Sequence, residues 1–126
     1  MPLQLTTRYL GDVAIVSCIG RISLGEETAS LRDHVKKIFH DTPFVVLDLS
    51  QTTYVDSSGV GILIALYTSA RNATGAIKLT GVTTRVRDLL QITKLVTVFE
   101  IYDSPEAAAA SFNRAAGASA PIEWQP

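Results

Sequence analysis

Apolar and polar positions alternate at the start of the chain, where Leu3, Leu5 and Thr7 share one side of an extended segment. Gly11-Asp12 interrupts the pattern, and the apolar run Val13 to Ile19 that follows predicts a buried strand paired antiparallel with the first. A loop is expected over Gly20 to Gly25. Beyond it Leu31, Val35, Ile38 and Phe39 recur at helical spacing, with Arg32, Asp33, Lys36 and Lys37 turned outward. Pro43 disfavours helix in the residue before it and has no amide hydrogen, so this helix ends at Asp41-Thr42-Pro43. Phe44 to Leu49 is short and almost wholly apolar, as a central strand covered on both faces would be.

Ser50 to Tyr54 reads as a polar turn, and residues 57 to 73 as a helix. Val60, Leu63, Ile64 and Tyr67 form the stripe expected to face a sheet. Ile62 and Leu66 fall on a second flank, open either to a partner or to burial beneath a neighbouring helix. Gly75 stops the helix, Ala76 to Thr80 is the next strand, and Thr83 or Thr84 caps a short helix with Val86, Leu89 and Leu90 inward and Arg85 and Arg87 outward. Val96 to Tyr102 is the last strand expected. In Asp103-Ser104-Pro105-Glu106 a capping serine, a proline at the first helical position and an acid in the first turn announce a helix start. That Ala-rich helix is expected to run from Glu106 to about Ala116, anchored by Phe112, and residues 117–126 to form a loose tail in which Trp124 has no assigned role. Strands alternating with helices after an opening hairpin imply one α/β domain over residues 1–116, with a mixed sheet and right-handed parallel crossovers.

Within this frame Asp56-Ser57-Ser58-Gly59 stands at the carboxyl edge of the sheet, where regulatory and ligand sites of open α/β folds concentrate. The first amides of a helix lack intrahelical acceptors and its dipole is positive there, so a phosphate on Ser57 is tolerated. Gly59 and Gly61 remove side-chain bulk and let another backbone approach. Ordinary capping asks for the same residues, and local physics leaves both uses open.

Composition narrows the classes of function. The 126 residues are 47% hydrophobic and 18% charged, with a formal net charge of -1 and no Lys/Arg cluster, so no footprint for nucleic acid or an anionic membrane is present. No apolar run approaches a membrane span and the first residues lack the blocks of a signal peptide, which makes the cytoplasm the expected compartment. Cys18, the single cysteine, lies in an apolar run and reads as a core residue. His34 and His40 have charged neighbours and read as solvated surface, leaving a serine hydrolase without a base; Gly59-Val60-Gly61 is not a nucleophile elbow. No Walker loop, complete dinucleotide fingerprint or metal set is present.

The segments Val45-Val46-Leu47-Asp48-Leu49, Tyr54-Val55-Asp56-Ser57-Ser58-Gly59-Val60-Gly61, Leu89-Leu90, Leu95 and Phe99-Glu100-Ile101-Tyr102-Asp103-Ser104 together resemble the STAS domain family, and within it the bacterial anti-sigma factor antagonists. The resemblance covers about residues 3 to 113. It implies a STAS-like mixed sheet with an N-terminal antiparallel hairpin and about four helices. It also implies a partner, an anti-sigma factor that is a serine kinase, which phosphorylates the serine after the motif aspartate, here Ser57, with Ser58 as the second candidate. A serine phosphatase reverses the modification. ATP belongs to the kinase, so no cofactor is expected, and Asp56, Ser57, Ser58, Gly59, Gly61, Ile62 and Ser23 are the expected docking positions. Two departures concern the partner: Gly20-Arg21-Ile22-Ser23 stands where the family often has Gly-Glu-Leu-Asp, and Lys94 stands where a glycine usually precedes Leu95. A scaffolding STAS subunit, with Ser57 only capping the helix, is the alternative.

Overall fold

The computed structural model describes residues 3–112. Gln4–Leu10 (β1) and Val13–Ile22 (β2) form the expected hairpin, in register from Gln4 opposite Ile19 to Leu10 opposite Val13. Gly11 makes the reversal at φ 63°, a left-handed conformation open to glycine at no steric cost. The chain then alternates through Glu26–Ile38 (α1), Phe44–Asp48 (β3), Thr52–Val55 (β4), Ser57–Asn72 (α2), Ala76–Thr80 (β5), Thr84–Ile92 (α3), Ile101–Tyr102 (β6) and Pro105–Ala110 (α4).

The sheet runs in the order β1-β2-β3-β5-β6, and β4 pairs with the far end of β2. Among the described residues only β1 with β2 is antiparallel; the other pairs are parallel. Successive side chains of a strand point to opposite faces. Val16 and Cys18 of β2, Val45 and Leu47 of β3, and Ile77 and Leu79 of β5 therefore meet one core with Leu31, Val35, Ile62, Leu63, Leu66, Val86 and Leu90 from α1, α2 and α3. The alternate positions Val13, Ile15 and Val46 meet Tyr102, Ala108 and Phe112 on the face covered by α4. Cys18 is the core residue expected, its thiol pushed up to about 12 by burial and, second, by Asp48.

Four expectations need correction. The first concerns residues 20–25 and 50–54, read as loop and polar turn. β2 continues to Ile22 past an irregularity at Gly20/Arg21, and Thr52–Val55 forms β4 beside it. The threonines are strand residues whose hydroxyls donate to β2: Thr52 Oγ1 to the Cys18 carbonyl at 2.8 Å and Thr53 Oγ1 to that of Gly20 at 3.2 Å. Second, α2 buries Gly59, Ile62, Leu63, Leu66 and Ala70, whereas Ile64 is 45% exposed. Ile62, at 7% exposure, and Leu66 are core, not a free flank. The helix is rotated this way because Gly59 lies directly on Ile22: a Cβ there would meet the Ile22 carbonyl oxygen at 2.3 Å.

Third, the strand expected over Val96 to Tyr102 is a 3-10 turn, Leu95–Thr97, followed by the two residues of β6. Lys94 enters that turn at φ 65°, a conformation glycine adopts more readily. Fourth, α4 begins as expected, with Ser104 Oγ accepting from the Ala107 amide at 3.0 Å, but ends at Ala110. Residues 113–126, which hold the rest of that expected helix, the tail and Trp124, lie outside the described residues. Among the described residues no helix is long and apolar enough to cross a membrane.

Candidate functional site

β2 and β4 run parallel, so both deliver their carboxyl ends to one edge, and α2 starts immediately after β4. The cap of α2 is Asp56, in extended conformation. Its Oδ1 accepts from the Gly59 amide at 2.8 Å, and its Oδ2 accepts from the Leu24 amide at 3.0 Å. One carboxylate thus closes the helix and ties down the loop after β2. The Gly59 amide is the main cause holding the Asp56 carboxyl below its usual range; burial opposes this and the Leu24 amide adds to it.

With Asp56 as cap, Ser57 is the first helical residue and its hydroxyl has no capping duty. Ser57 is exposed, and its side chain makes no hydrogen bond to the described residues. Ser58 is half-buried. The two glycines differ in role: Gly59 is buried against Ile22 and Val55, while a Cβ on Gly61 would meet nothing within 4 Å. Of the expected docking positions, Asp56, Ser57, Ser58, Gly61 and half-buried Ser23 reach this edge, whereas Gly59 and Ile62 form the packing beneath it.

Sequence reasoning overlooked two features here. Leu24, beside Ser23, is 77% exposed although its amide is fixed by Asp56. On the other side of Ser57, Tyr54, Val60, Leu89 and Ile92 line an open groove of about 1020 Å³ between α2, β4 and α3, with Asp56, Arg85 and Asp88 as its charged groups. Ile92 is 78% exposed at its rim. An apolar residue at the end of a short amphipathic helix was the available signal.

The histidines lie elsewhere. His40 is exposed, but His34 is half-buried and shares a 2.6 Å hydrogen bond with Thr7 Oγ1, which corrects its reading as solvated surface. α1 packs across β2 and brings His34 to the inner side of β1. Among the described residues no three His, Cys, Asp or Glu side chains gather as a metal site.

A hairpin-led mixed sheet with a serine at the first position of the helix that follows the sheet's carboxyl edge defines a class of small α/β domain. The STAS domain model matches residues 4–108, and the chain belongs to that family. A Bordetella bronchiseptica protein named as an anti-sigma factor antagonist, BtrV, is 32% identical over 71 residues, 56% of this chain; the match spans 61% of that relative's length. Among solved structures, a Thermotoga maritima protein described as an anti-sigma factor antagonist superposes with a TM-score of 0.80 at 21% identity, covering 87% of this chain and 95% of its own. An anti-sigma factor antagonist from Mycobacterium paratuberculosis gives 0.76 at 25% identity, covering 87% and 93%.

Proposed function

We propose that this chain is an anti-sigma factor antagonist that binds an anti-sigma factor serine kinase and is switched off by phosphorylation of Ser57. It regulates sigma-factor-dependent transcription by partner switching in the cytoplasm, and a serine phosphatase resets it. The chain itself acts by binding and not by catalysis. The observation that carries this reading is the division between Asp56 and Ser57: the aspartate caps α2, and the serine hydroxyl is left exposed and unengaged. The alternative, a phosphorylation-indifferent scaffolding subunit, gave Ser57 the capping role that Asp56 fills.

The physics of such a switch is adequate. Phosphorylation adds a charge of about -1.5 to -2 and three acceptor oxygens at the centre of the docking edge. A hundredfold loss of affinity needs only about 2.7 kcal/mol. Placing a dianion beside Asp56 in a contact shaped for a hydroxyl supplies that, while the N-terminus of α2 accommodates the charge within the fold. The modification blocks the interface and does not unfold the domain. Ser23, in place of the acid usual there, removes a charge from this contact, and exposed Leu24 beside it adds apolar surface.

Titration of the purified chain with its anti-sigma factor kinase tests the proposal. Ser57→Ala is expected to bind and to resist phosphorylation, and Ser57→Asp to bind more weakly. Equal binding by all three forms, or an unchanged mass after kinase and ATP, contradicts it.

A further inference from the structure

Among the described residues Arg85 is the only cation that lines the groove beside Ser57. It is exposed on the first turn of α3 and forms no ion pair with the described residues. The carboxylates that line the same groove are Asp56 and Asp88. Both oxygens of Asp56 already accept backbone amides, so its carboxylate is held in place by backbone and not by a cation. Asp88 lies one turn along α3 from Arg85 and is exposed. Arg21 of β2 stacks on a groove residue, its guanidinium 4.9 Å from the centre of the Tyr54 ring. Arg21 is therefore engaged by Tyr54 and does not line the groove, whereas Arg85 lines it and is held by no ion pair with the described residues.

The geometry points to Arg85 as the group that receives a phosphate on Ser57, drawing it into the groove between α2 and α3. This rests on the proposal that Ser57 is phosphorylated and adds what the fold does with the product. A guanidinium presents paired N–H donors that match two phosphate oxygens. It also offsets the repulsion between the new dianion and Asp56. The phosphorylated chain then fills its own groove with an α2-to-α3 pair, adding a polar tie at the rim to the core that the two helices already share. Ser58, which does not line the groove, has no such partner.

The test uses the full chain with phosphoserine placed at position 57 during translation, so no kinase is required. Its outcome is thereby independent of whether cells modify Ser57. The phosphorus resonance is followed against pH through the second ionisation, which for a free phosphoserine lies near pH 6. Arg85→Gln is expected to raise the midpoint by about 0.5 unit, and Arg85→Lys to raise it less. Asp88→Asn is expected to lower it, and Arg21→Gln to leave it nearly unmoved. With phosphoserine at position 58 instead, Arg85→Gln is expected to have no effect. A midpoint at position 57 indifferent to Arg85→Gln overturns the assignment. So does an effect of Arg21→Gln as large as that of Arg85→Gln, or an equal effect of Arg85→Gln on phosphoserine 58.

Discussion

The two faces of the sheet handle polar groups in opposite ways. Behind the sheet Lys78 is buried under α4, and its ammonium is engaged by Ser111 Oγ at 2.7 Å, by Glu100 Oε1 at 3.3 Å and by the Phe112 ring with its centre 4.4 Å away. Tyr102 donates to the same Glu100 oxygen at 2.6 Å. At the carboxyl edge Asp56 is just as fully engaged, but it spends its oxygens on backbone and leaves the neighbouring hydroxyl of Ser57 free. A polar cluster satisfied from within holds a helix in place. A satisfied cap beside an unengaged hydroxyl, on an edge with exposed Leu24 and Ile92, leaves both a polar and an apolar group turned outward.

This contrast can be broken by substitution. The largest effect is expected at Gly59, where a Cβ would lie 2.3 Å from the Ile22 carbonyl. Gly59→Ala should cost about 3 kcal/mol in urea unfolding. Gly61→Ala, with open space, should instead stabilise by up to about 1 kcal/mol through helix propensity. Equal effects at the two glycines would mean that both serve the fold. Next comes Lys78→Ala, expected to cost about 2 kcal/mol by leaving Ser111, Tyr102 and Glu100 without their shared cation. Lys78→Met, which keeps the stem between Phe112 and Tyr102, should cost less.

Smaller still is Asp56→Ala, about 1 kcal/mol for a lost cap, with loosening of the loop at Leu24 visible in amide exchange. The folded carboxyl titrates below its unfolded value of about 3.9, so its contribution is complete above that pH and disappears as pH falls through the folded value. The stability gap between the native chain and Asp56→Ala should therefore narrow in acid below about pH 4. Ser57→Ala sits at the bottom of the scale, within about 0.5 kcal/mol, because the hydroxyl bonds to nothing in the described fold. A larger loss would return Ser57 to a structural role.

What could be read from the sequence follows from how local each signal is. The buried strands Val13–Val16, Val45–Leu47 and Ile77–Leu79, the Ser104-Pro105 helix start and the aspartate-serine edge carry their causes within a few residues. Thr52-Thr53-Tyr54 does not, because its strand exists through pairing with Gly20–Ile22, about thirty residues earlier. The face of α2 was misjudged for a related reason. Periodicity allowed either Ile64 or Ile62 inward, and the choice was made by the contact of Gly59 with Ile22 across the site. Lys78 gave no signal at all, since a lysine inside a strand pattern ordinarily means an exposed face, and only α4 covers it. The edge was legible as a helix start; which of its residues caps and which stays free needed the hydrogen bonds.

The most direct test of the central claim is phosphosite mapping by mass spectrometry on the chain recovered from its native cells. Phosphate on Ser57, in a fraction that no longer copurifies with the kinase, is the expected result. A chain that carries phosphate only on Ser58, or none under any growth condition in which the kinase is active, would contradict it.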